Sequence, residues 1–215
     1  MPFLDFITIK NPIMKKLTII LLTFSYLIFT SSTCKKNGNC SETSYSFEAY
    51  AKVINPYDSI TVGDTIWLEI IAPIAQVDRI NGQTVTFSNA ENLGTAIGFA
   101  EIILPEIKGA ANDFDYVLIK GTTVSNPKVT EIREYSFLEG SANYEFRLGI
   151  IPKRKGFFNF GLSNAANVFR KNDKCTKAFY RIYFTQTPLH LYYLKQVLGI
   201  TPDSTYASPY CFKVK

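Results

Sequence analysis

Few residues in this chain have the types and spacing that chemistry needs. Its 215 residues hold four cysteines and one histidine. Cys34, Cys40, Cys175 and Cys211 include no Cys-x-x-Cys pair, and a structural zinc site needs four closely spaced sulfur or nitrogen ligands. His190 alone would have to serve any Ser–His–Asp triad, and the chain has no Gly-x-Ser-x-Gly. Its place near the start of a helix suits a surface or capping residue. Carboxylates are available at Glu101, Glu106, Asp113, Asp115, Glu131, Glu134 and Glu139, and glycoside hydrolysis needs two of them about 5–10 Å apart. Nothing in their spacing selects a pair, so a hydrolase is the least favoured reading. Asn112-Asp113-Phe114-Asp115 alternates oxygen ligands as a calcium loop does, but a polar turn before a strand explains it more simply. No catalytic residue, metal site or cofactor is assigned.

Binding chemistry has more to work with. Lys153-Arg154-Lys155-Gly156 could meet anionic lipid head groups or an acidic glycan; the plainer expectation is a solvated hairpin turn between strands at 144–151 and 157–162. Tyr57, Tyr192 and Tyr206 are candidates for an exposed aromatic surface that stacks on sugar or docks a protein. The formal charge of +5 is too mild, and too scattered, to indicate nucleic acid.

The first forty residues concern topology. Met14-Lys15-Lys16 is a short basic start, Leu17 to Phe29 is an uncharged run of 13 residues, and Thr30 to Thr33 are small. That order describes a secretory signal, and the run is shorter than the roughly 20 residues a membrane-crossing helix needs. Residues 1–13 fit this pattern poorly, so Met14 is the expected start. Small residues running into a cysteine resemble the signal of bacterial lipoproteins. The box reads Ser31-Ser32-Thr33-Cys34, with Ser32 matching, Ser31 where Leu is usual, and Thr33 at the last small position. The resemblance implies cleavage before Cys34, a lipid on its thiol and acylation of the new amino group. Lys35-Lys36 after the cysteine implies sorting to the outer membrane of a Gram-negative bacterium. Removing the leader, with three Lys and one Asp, takes the formal charge from +5 to +3. An exported chain with Cys34 lipidated can form one disulfide among Cys40, Cys175 and Cys211.

Most of the remainder alternates with a period of two. Tyr45, Phe47, Ala49, Ala51 and Val53 share one face, as do Ile66, Leu68 and Ile70. Further alternating runs surround 85–87, 116–120, 129–138, 144–150, 158–162 and 178–184. Ala96 to Leu104 is apolar on both faces and reads as a central strand ended by Pro105. At the C-terminus Tyr210, Phe212 and Val214 oppose Cys211, Lys213 and Lys215, so Cys211 is expected to bridge sideways or to a crossing segment. Many short strands with turn signals between them predict an antiparallel β-sandwich. Thr187-Pro188 is an N-cap and first-turn signal, and Leu189, Tyr193, Val197 and Ile200 keep helical spacing, predicting one helix over 188–198 stopped by Gly199. "DSITVGDTIWLEI" at 58–70 resembles the entry strands of bacterial immunoglobulin-like modules, with Gly63-Asp64 as the turn and Trp67 partly buried. Ser88-Asn89-Ala90-Glu91-Asn92 and Ser163-Asn164-Ala165-Ala166-Asn167 echo one another after a strand, a hint of equivalent turns.

The expected organisation is a leader over 1–33, a lipidated cysteine and short tether over 34–43, and one domain over 44–215. The whole resembles small Gram-negative outer-membrane lipoproteins with an immunoglobulin-like β-sandwich. The resemblance implies a membrane-anchored, non-enzymatic binding or accessory module of the cell envelope, with a protein or glycan partner and no nucleic acid. A surface carbohydrate-binding module is the alternative.

Overall fold

The computed structural model describes residues 41–124, 131–185, 187–199 and 209–215. The leader, Cys34, Cys40 and Tyr206 lie outside the described residues. The domain is mainly β, with one short helix, and its strands form two large sheets.

The first sheet has the order β12-β13-β3-β1-β16-β15-β6, with β9 also beside β13. Its strands are β1 (Thr43–Ile54), β3 (Ile66–Pro73), β6 (Ala90–Glu91), β9 (Phe114–Lys120), β12 (Leu138–Glu139), β13 (Asn143–Pro152), β15 (Ala165–Arg170) and β16 (Asp173–Phe184). The second has the order β10-β11-β7-β14-β17-β2, with β8 also beside β7. It comprises β2 (Ser59–Ile60), β7 (Gly94–Ile102), β8 (Ile107–Gly109), β10 (Thr122–Val124), β11 (Ile132–Ser136), β14 (Gly156–Leu162) and β17 (Tyr210–Val214). A hairpin of β4 (Ala75–Val77) and β5 (Thr84–Thr86) stands apart.

Alternation becomes burial directly. Phe47, Ala49 and Ala51 on β1, Leu68 and Ile70 on β3, and Phe146, Leu148 and Ile150 on β13 turn inward from the first sheet. Ile97, Phe99, Phe158, Phe160, Tyr210 and Phe212 turn inward from the second, and all belong to one hydrophobic cluster. Two sheets sharing one core are consistent with a β-sandwich. Aromatic rings span the layers: Tyr135 lies 5.2 Å from Phe146, and Phe114 5.1 Å from Phe158. Each such side chain contributes about 1.5–3 kcal/mol by leaving water.

Several expectations need correction. Pairing is not wholly antiparallel. β1 runs parallel to β16, and β17 parallel to β2, because the first strand of the domain inserts beside one of the last. The central strand expected over Ala96–Leu104 is β7, between β11 and β14, but it runs over Gly94–Ile102, and Ile103 and Leu104 lie exposed beyond its end. Lys153–Lys155 does not close a hairpin: β13 and β14 belong to different sheets, so the segment carries the chain from one layer to the other. Gly121 makes the same kind of step, from β9 in the first sheet to β10 in the second, at φ 110, where a Cβ would lie 2.7 Å from the Ser136 carbonyl oxygen. The helix is α1 (Tyr192–Leu198), shorter than 188–198. Thr187 does not cap it, because its hydroxyl instead accepts from the Val53 N–H at 3.2 Å. Gly199 ends it in the left-handed conformation, its N–H donating to the Lys195 carbonyl, as its type predicts. Of the two echoing stretches, only the fifth positions agree, Asn92 and Asn167 both having positive φ.

Candidate functional site

Every candidate among the described residues has a definite place in the structure. Arg154 donates to both carboxylate oxygens of Glu101, at 2.6 and 2.7 Å, and to Asp113 at 2.7 Å, while its guanidinium stacks over Phe158. Glu101 and Asp113 are thus tied to one cation, which pins the segment crossing between the sheets. The guanidinium is held above its ordinary range, first by the bond to Glu101 and then by that to Asp113, and is fully charged at any working pH. Asp115 pairs with Lys153 at 3.7 Å, and Glu139 accepts from the Asn89 N–H. Glu106 lies on an exposed turn, and its carbonyl accepts from Ile103 N–H. Glu131 accepts from Phe99 N–H through its own carbonyl, and Glu134 sits on β11 opposite Ala96. These carboxylates do not converge on one cleft. Among the described residues no group of three or more His, Cys, Asp or Glu could hold a metal ion; Asn112 and Asp113 lie on a single 3-10 turn, and Phe114 and Asp115 begin β9.

A shallow depression of about 80 Å³ on the outer face of the first sheet is lined by Glu69, Ile71, Lys120, Glu145 and Arg147 among others. Small-molecule sites usually run to about 300–1,000 Å³, so it is too small to enclose a sugar.

The cysteines divide. Cys211 is a free, fully buried thiol. It does face away from Phe212, but it does not bridge: α1 lies over it, and Ile102, Tyr193 and Leu194 complete a second small hydrophobic cluster around it. Burial pushes its pKa up to about 12. Cys175 is disulfide-bonded. Its partner lies outside the described residues, since Cys211 is free.

Two of the three tyrosine candidates, Tyr57 and Tyr192, meet at one corner of the domain. β1 ends at Ile54, Asn55 takes a positive φ of 52°, and the turn exposes Tyr57 and Asp58. The Tyr210 hydroxyl donates to the Tyr57 carbonyl at 2.6 Å and fixes that turn to β17. Tyr192, at the start of α1, donates its hydroxyl to Asp58 Oδ2 at 2.9 Å. This bond, ahead of the other influences, holds the Asp58 carboxyl below its usual range. His190 is not a helix cap. It sits at φ 50, an uncommon conformation for a residue with a side chain. Its Nδ1 lies 3.2 Å from the Cys211 carbonyl, and its ring packs 5.5 Å from Tyr210 and 6.1 Å from Tyr192. A carbonyl can only accept, so Nδ1 is the donor in this contact. The corner therefore presents two exposed phenol rings, Tyr57 at 62% and Tyr192 at 48%, around an ionised carboxylate and an imidazole. Apolar ring faces beside fixed polar groups are suited to gripping a ligand that is itself apolar on one face and hydroxylated on its edges.

Sequence reasoning grouped Tyr57 with Tyr192, set His190 apart as a surface or capping residue, and missed Asp58. The only signal was its position in Asn55-Pro56-Tyr57-Asp58, a turn sequence. In comparisons with known proteins, no family model matches the chain and no curated protein matches its sequence.

Proposed function

We propose that this chain is an exported lipoprotein, anchored through Cys34, whose immunoglobulin-like domain is a non-enzymatic binding module of the cell envelope. The observation that carries the binding reading is the corner of Tyr57, Asp58, His190 and Tyr192. Carbohydrate is the ligand class it favours, because stacking rings beside a carboxylate match the alternating apolar and hydroxylated surfaces of a sugar. An accessory role with a protein partner is the second reading, favoured by the exposed side chains Ile103, Leu104 and Ile107 around the β7–β8 turn.

The topology also bears on the tether. Cys40 lies three positions before Thr43, the first residue of β1, and Thr43 is paired with Thr176, next to Cys175. With Cys211 buried and Cys34 carrying lipid, Cys40 is the partner left for Cys175. Lys35 to Asn39 is then the whole free tether, about 20 Å with its flanking links. β1 has 12 residues and at about 3.3 Å per residue spans roughly 40 Å. The tyrosine corner follows the end of β1 opposite Thr43.

Two measurements test this. Cys34→Ser should abolish palmitate labelling and move the chain from the membrane to the soluble fraction; continued labelling and retention would remove the anchor. On an array of envelope and host glycans, Tyr57→Ala and Tyr192→Ala should each weaken any glycan bound by about tenfold, the loss of roughly 1.4 kcal/mol of stacking. Binding that both variants leave unchanged would remove the corner as the site.

A further inference from the structure

Edge strands expose unpaired backbone donors and acceptors and are templates for further pairing. Among the described strands, β9 pairs with β13 alone. It has seven residues, whereas β6 and β2, at the ends of the two sheet orders, have two each. Val117 and Ile119 on β9 are 41% and 55% exposed, so this edge is apolar as well as long.

Its charges are arranged for one partner. Leu148 faces Leu118 and Arg147 faces Lys120, so Ile119 is an extra, bulged residue. The bulge restores Lys120 to the face carrying Asp115 and Val117. If two β9 strands run antiparallel about Val117, Asp115 of each copy stands opposite Lys120 of the other, and Tyr116 opposes the Leu118–Ile119 bulge. A parallel pairing in register would instead set Asp115 on Asp115 and Lys120 on Lys120, which is repulsive. Self-complementarity under a two-fold axis is the requirement of an isologous contact.

The geometry points to β9 as a pairing edge for a second copy of this chain, joining the first sheets of two molecules into one continuous sheet. Within each copy Lys120 also pairs with Glu145, and Asp115 with Lys153; these exposed pairs are worth little and leave both groups free to share a partner. One added strand pair buries less than the roughly 1,200 Å² typical of stable complexes. The dimer is therefore weak in solution and favoured where copies are concentrated. The inference does not depend on the anchor or on the tyrosine corner.

Sedimentation equilibrium of the purified full chain in detergent, over a concentration series, tests it. The wild type should show a reversible monomer–dimer equilibrium. Asp115→Lys and Lys120→Asp should each weaken association at least about tenfold, through like charges brought opposite one another. The double variant Asp115→Lys/Lys120→Asp should return to within about threefold of wild type, a rescue that merely lost stability would not produce. Ile119→Lys, on the bulge, should give a folded monomer, with thermal melts confirming the fold of every variant. A wild type that stays monomeric throughout, or a dimer that the double variant fails to restore, overturns the proposal.

Discussion

The second sheet carries α1 on its outer face, whereas the first sheet leaves the central part of its outer face to solvent, and the two solve the same problem differently. On the covered face Ile102 and Cys211 are fully buried beneath Tyr193 and Leu194, the Phe157 and Tyr193 rings lie 5.3 Å apart, and Lys213 closes the margin over Phe157. On the open face Glu69 bridges Lys52 at 3.3 Å and Arg147 at 3.2 Å, and the Arg147 guanidinium lies 5.1 Å from the Trp67 ring. Gly149 leaves room for that indole, since a Cβ there would come within 3.0 Å of it. Nearby, the Tyr50 and Tyr183 hydroxyls both donate to Glu48, which also pairs with Arg79. A covered face gains apolar burial and depends on one short helix. An open face gains little energy from its charge ladder but needs no cover.

Variants can break this contrast. The largest effect is expected at Ile102→Ala, where removing a fully buried side chain beneath α1 should cost about 2–4 kcal/mol, read by urea denaturation with an unchanged slope. A loss below about 1 kcal/mol would mean that α1 is not held there. Glu69→Gln on the open face should cost about 1 kcal/mol, and less in high salt; a loss as large as that at Ile102 would erase the distinction between the faces. The smallest effect is expected at Cys211, which should not react with a thiol reagent at pH 8 in the native state and should react after unfolding with the disulfide left intact. Because its pKa is raised in the folded state, its contribution to stability is complete below the ordinary thiol value of 9.0 and is lost as pH rises towards about 12. Rapid native labelling would show that the cover over β17 opens readily.

Strand identity was legible where one face is apolar and the other polar, as along β1 and β3. β17 was legible too, but what Cys211 does there was not. Alternation assigned it to the face opposite Phe212 and could not say that α1 would bury that face. Lys153–Lys155 misled for a related reason: a turn between two alternating runs reads the same whether it joins neighbours in one sheet or crosses between layers. The helix began late because Thr187, a good cap by type, is recruited by Val53 from β1, a partner more than a hundred residues away. At the candidate site the tyrosines were visible as residue types, but their convergence on Asp58 depends on the Tyr210–Tyr57 and Tyr192–Asp58 bonds, which join segments far apart in the chain.

The parallel pairing of β1 with β16 has a further consequence, for biosynthesis. Thr43 aligns with Thr176, and Ser59 with Lys213, so strands at the start of the domain await partners near its end. Contacts of such sequence separation give a high contact order and slow closure of the fold. During synthesis, β1 has no β16 to join until nearly the whole domain has been made. For a chain exported as proposed, that delay is an advantage: the chain stays open and threadable while it crosses the inner membrane, and the first sheet is completed only after the C-terminal strands have followed it across.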